Sequence, residues 1–149
     1  MRPHRYIQKL MADALRANET LRAAGVTVLE QNSQELAFLL KKPLSQLDAP
    51  VAVVTCDEAR KRHTSPAEWD LECSVMVTEV VPTNRERQYF LTALDVAFIA
   101  VETLDSPELR IHKEESPVKH TTPERGILEA EAKFAARVRY DENAEEDDS

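Results

Sequence analysis

The chain has 149 residues, 42% of them hydrophobic and 31% charged, with a formal net charge of −8. That length suggests one domain with room for a core, while only two glycines argue against folds built on Gly-rich phosphate loops, which need positive φ and close backbone approach. Six acids fall in the last nine residues, DENAEEDDS, so the body is mildly acidic and lacks a chain-wide basic footprint for nucleic acid.

Read in chain order, residues 5–24 contain no Pro or Gly, and Ile7, Leu10, Ala14, Ala17 and Leu21 fall on one helical face, with Gly25 as the stop. No h-region of signal-peptide length occurs in MRPHRYIQKLMADAL. VTVLE (26–30) reads as a short strand. Asn32 and Glu35 have capping-box spacing, which predicts a short helix over 33–40 that ends before Pro43. Pro50 opens VAVVT (51–55), an apolar, β-branched run expected to be buried on both faces. CDEARKRHTSPAE (56–68) is charged and aperiodic and reads as a loop. WDLECSVMVTEVV (69–81) alternates with period two, which predicts a long, half-buried strand antiparallel to the one before it.

Thr83 and Glu86 repeat the capping-box spacing, and residues 85–104 predict the best helix, with Phe90, Leu94, Ala97, Phe98, Val101 and Leu104 as its apolar stripe. DSP (105–107) stops it. ELRIHKE (108–114) reads as a strand and ESPVKHTTPERG (115–126) as a loop. ILEAEAKFAARVRY (127–140) alternates too regularly for a helix despite its helix-forming composition and reads as a second long strand. The tail 141–149 is a like-charge run of the kind that stays unstructured. The expected fold is α+β: a two-layer domain over 1–140, with a mostly antiparallel sheet of long strands packed by an N-terminal and a central helix, followed by the acidic tail.

Chemistry is sparse. Glu131 and Lys133 form a Glu-x-Lys strand pattern with Asp105 upstream, the core of many metal-dependent nucleases; the same spacing arises on the wet face of any charged strand, and that reading is preferred. Cys56, His63 and Cys73 lack the tight Cys pairs of structural zinc sites, and Cys56 with His63 or His112 is no signature of a nucleophile and base. Buried thiols in a reducing cytoplasm and exposed His4, His112 and His120 are the expectation. Arg60, Lys61, Arg62 and His63 form the one basic cluster, at a loop tip where it would be solvated or would contact an acidic protein surface. Trp69 beside it is either a hydrophobic anchor or a core residue. No apolar run is long enough to span a bilayer.

Long strands that overrun their neighbours need their edges covered, and a closed ring of identical copies covers them. In its opening amphipathic helix, PVAVVT, the charged loop, WDLECSVMVTEVV, the helix RERQYFLTALDVAFIAVETL and two closing strands, the chain resembles the tail terminator proteins of long-tailed bacteriophages and related tail-like particles. The likeness is one of architecture and size over nearly the whole body, and no functional residue carries over by name. It implies a structural, non-enzymatic virion protein without metal or cofactor, assembled in the host bacterial cytoplasm. Six copies would form a ring that caps the tail tube, stops its polymerisation and offers its other face to the head. The implied partners are further copies, the tail tube protein, a head–tail connector or neck protein and the sheath. DNA would only pass through the lumen, which Glu142, Glu145, Glu146, Asp147 and Asp148 would line as an anionic brush. The alternatives are a connector or neck ring of the same particle, the metal-dependent nuclease, and a cellular α+β binding module.

Overall fold

The computed structural model describes residues 2–31, 50–62, 67–80, 91–124 and 127–139. In chain order these form α1 (Pro3–Ala17), α2 (Glu19–Ala23), β1 (Thr27–Glu30), β2 (Val51–Lys61), β3 (Glu68–Val80), α3 (Ala93–Leu104), β4 (Ile111–Glu124) and β5 (Ile127–Arg139). The strands make one five-stranded sheet in the order β1-β2-β3-β5-β4. β1 and β2 run parallel and the other neighbours antiparallel. With α1 and α3 packed on one side of the sheet, this is the expected α+β architecture.

Alternation along the long strands decides which side is dry. On β5, Ala130, Ala132, Phe134, Ala136 and Val138 are buried, while Lys133, Ala135, Arg137 and Arg139 between them are exposed. Opposite them on β3, Leu71, Cys73, Val75 and Val77 face the same core. Ile7, Met11 and Leu15 of α1 and Val96, Ala100 and Leu104 of α3 close it from above, and all six are 0–1% exposed.

The first helix is two. Asn18 takes an extended backbone (φ −70°, ψ 120°) and caps α2, its Oδ1 accepting from Leu21 N at 3.1 Å. Its Nδ2 donates to Thr103 Oγ1 of α3 at 3.1 Å. A side-chain cap that also ties two helices together outweighs the continuous helical pattern of 5–24, and Ala17 is exposed instead of buried. Gly25 ends α2 with φ 74°, as its position predicts.

The helix expected over 85–104 does not run through residues 91–92: Thr92 is extended and caps α3. Its true buried stripe is Ala93, Val96, Ala97, Ala100, Val101 and Leu104, and Phe98 is 51% exposed. The helix is apolar nearly all round, so its sequence defines no unique stripe. The alanines face the sheet because small side chains allow close approach.

Two expected loops are largely strand. β2 continues past Thr55 to Lys61, paired with β3 through a register shift between Cys56 and Glu58. β4 begins only at Ile111, after a turn in which Arg110 has φ 58°, and continues to Glu124. Shifts between Lys113 and Val118 and between Thr121 and Glu124 accommodate the two prolines of this edge strand. In both cases pairing with a long neighbour overrides a polar local composition. The helix expected over 33–40 and the capping box at Thr83 and Glu86 lie outside the described residues.

Candidate functional site

β2 is longer than its β1 neighbour. β1 pairs only with Val51–Val54, so among the described residues Thr55–Lys61 are paired along the β3 side alone. Asp57–Lys61 are exposed on both faces. This arm carries Arg60 and Lys61 of the basic cluster, and the strand pleat divides them. Arg60 opposes Asp70 on the helix-free face, whereas Lys61 opposes Trp69 on the helix side.

On the helix-free face the arm borders an open groove of about 590 Å3. Its walls come from β2, β3, β5 and the turn before β4. Arg60 Nε pairs with Glu58 Oε1, and this bond holds the Glu58 carboxyl below the usual carboxylate range. Arg137 Nε donates to Asp70 Oδ1 at 3.0 Å, and Arg62 lies 3.8 Å from the same oxygen. Arg110 reaches Glu68 Oε2 at 3.1 Å, while its carbonyl accepts from Arg137 N at 3.0 Å. Arg60 and Arg62, expected at a solvated loop tip or against an acidic protein surface, stand in a mixed-charge network within the chain. Exposed pairs of this kind add little to stability, so the network defines a polar surface more than it stabilises the fold.

Trp69 is partly buried and packs against the core, and its Nε1 is buried without an acceptor among the described residues. His63 and the acidic residues Glu142, Glu145, Glu146, Asp147 and Asp148 lie outside the described residues.

The Glu-x-Lys pattern does not assemble with Asp105. Lys133 Nζ lies 3.6 Å from Glu131 Oε1 on the helix-free side of β5. Asp105 ends α3 on the other side of the sheet and accepts from Lys113 N at 3.2 Å. Among the described residues, no group of three His, Cys, Asp or Glu side chains could hold a metal ion. His112 and Cys56 likewise belong to opposite faces: His112 lines the groove, and Cys56 is opposite Cys73 on the core side.

The cysteines are closer than the sequence reading anticipates. They occupy directly opposed positions of β2 and β3, Cys73 buried and Cys56 only partly so. The Cys73 thiol hydrogen-bonded to Cys56 holds Cys56 below the ordinary thiol range against the effect of burial. That same bond and burial push Cys73 far above it. Cys56 Sγ also lies 3.6 Å from the Glu58 carbonyl oxygen. The register runs unbroken from Val51 opposite Thr78 to Cys56 opposite Cys73, whereas counting back from the hairpin end finds the pair only with the bulge in β2 known.

Sequence reading also missed Glu79. It is 3% exposed on β3, and its Oε1 accepts from Ala93 N, the first residue of α3, at 2.9 Å. No model of a protein family matches the chain, and the curated proteins contain no match to it.

Proposed function

We propose that this protein is a structural tail-completion protein, a ring of identical copies that caps the tail tube of a phage or tail-like particle. The observation that carries the reading is the pair of sheet edges left incompletely covered among the described residues. On one side, Thr55–Lys61 of β2 project beyond β1, and on the other, β4 is the last strand of the sheet. Long open edges are liabilities unless something pairs with them. A head-to-tail contact that places the β2 arm of one copy against the β4 edge of the next uses each edge once. Repeated, it closes into a ring when the rotation between copies permits. The likeness of element order to tail terminators supplies the expected six copies and the tube end as the docking site. The mixed-charge groove beside the arm supplies polar contacts that fix the register of such a joint.

The test is electron microscopy of the purified full chain at high concentration, alone and with tail tubes. Six-fold rings, or caps at one tube end, are expected. Copies that stay monomeric and never bind a tube end overturn the reading. Rings that bind isolated heads and ignore tubes assign the protein to the connector instead.

A further inference from the structure

We propose that Cys56 and Cys73 form a dithiol site that closes into a cross-strand disulfide by exchange with a small-molecule disulfide, and that a thiol reductant reopens it. The proposal does not depend on the ring reading. The two residues are register partners in the antiparallel β2–β3 pair, and both face the core. Opposed Cβ atoms in such a pair stand about 4.5–5.5 Å apart, and a disulfide needs about 3.5–4.5 Å. The strands must therefore draw together slightly. The place for that adjustment is present: the register of β2 slips at Asp57, next to Cys56. A bulge leaves its extra residue unpaired and lets the strand bend. β1 does not restrain this stretch, because its pairing ends at Val54.

Access to the two thiols is unequal. Cys73 is 3% exposed, whereas Cys56 stands partly open at the base of the projecting arm. Chemistry favours the same order. The Cys73 thiol donating toward Cys56 lowers the Cys56 pKa, so Cys56 supplies the thiolate that attacks disulfides.

The exchange has two displacements. The Cys56 thiolate attacks one sulfur of glutathione disulfide, forms a mixed disulfide and expels one glutathione thiolate, which takes up a proton. Cys73 then loses its proton to solvent and attacks the Cys56 sulfur, expelling the second glutathione. Two protein thiols are oxidised, and one small disulfide is reduced to two thiols. Converting Cys56 to the mixed disulfide removes two of the causes that hold the Cys73 pKa up, the bond to Cys56 and its charge, while burial continues to oppose ionisation and makes this second step the slower one. Closure would tie the base of the arm to β3.

The experiment treats the native full chain with oxidised glutathione and maps the cysteine peptides by mass spectrometry. The expected product is two hydrogen masses lighter, contains one Cys56–Cys73-linked peptide pair, and reverts with dithiothreitol. Cys73→Ala should stop at a glutathione adduct on Cys56, and Cys56→Ala should stay unmodified. A stable glutathione adduct on the wild-type chain, or a linkage that forms only after denaturant is added, overturns the proposal.

Discussion

Glu79 gives the most direct test of how the sheet holds the central helix. A helix leaves its first N–H groups unsatisfied and carries about half a positive charge at that end. Here two carboxylates meet it. Asp95 closes an exposed capping box, its Oδ2 accepting from Thr92 N at 2.9 Å while Thr92 Oγ1 accepts from Asp95 N at 3.1 Å. Glu79 reaches the next donor, Ala93 N, at 2.9 Å from within the core and has a further interaction besides. A hydrogen bond to a charged group contributes about 1.5–3 kcal/mol. The helix dipole accounts for up to about 2 kcal/mol of such a contact when it is partly buried, so the two figures overlap and do not add. Glu79→Gln keeps an acceptor and the volume but loses the charge, and should cost about 1–2 kcal/mol. Glu79→Ala strands the Ala93 N–H and leaves a void, and should cost about 3 kcal/mol or more. Thr92→Ala, at the exposed cap, should cost about 1 kcal/mol. Urea unfolding followed by circular dichroism measures all three. If Glu79→Ala costs no more than Thr92→Ala, the buried carboxylate is not what anchors α3.

Other expectations follow from the same geometry. Asn18→Ala should cost more than an ordinary cap, about 2 kcal/mol, because it removes both the α2 cap and the bond to Thr103; a Thr103→Val background should recover part of that loss in urea melts. Arg110→Gly should be more stable than Arg110→Ala by about 1 kcal/mol, since both lose the Glu68 ion pair but only glycine relieves the left-handed backbone; equal stabilities would show the turn to be unstrained. Alkylation of Cys56 should reach half its limiting rate at lower pH in the wild type than in Cys73→Ala, because the Cys73 thiol stabilises the Cys56 thiolate and its loss raises the Cys56 pKa. Asp70→Ala should change stability by less than about 1 kcal/mol and lose even that difference in high salt, as an exposed pair requires.

The elements that proved legible in sequence were those whose pattern and neighbours agree. β3 and β5 alternate cleanly, and the alternation marks both to within a residue or two of their observed ends. The N-terminal helix was legible as helix but not as two, since nothing in its apolar spacing announces that Asn18 will find Thr103. The arm of β2 and most of β4 were unreadable for another reason. Their residues are polar because they stand at sheet edges, and their extended conformation is imposed by β3 and β5. The basic cluster is visible as charge, but Glu58 meets Arg60 only because β2 stays extended there, and Asp70 comes from the pairing with β3. Glu79 looks like one more polar position of β3; only the arrival of α3 above it shows why a carboxylate can be buried there.

The register of β3 against β5 links these features. Leu71, Cys73, Val75 and Val77 face the core beside Ala136, Phe134, Ala132 and Ala130. Fixing those pairs fixes the opposite face as well, so Asp70 must meet Arg137 and Glu72 must meet Ala135. A slip of one residue would turn Arg137 into the core and Phe134 into solvent. Burial of a side chain such as Phe is worth about 1.5–3 kcal/mol, against about 0–1 kcal/mol for an exposed ion pair. Apolar burial therefore sets the register, and the ion pairs follow from it. On that argument the charges of the groove are not there chiefly to hold the sheet together. They can therefore be exchanged at little cost to the fold, which is what the Asp70→Ala measurement reads.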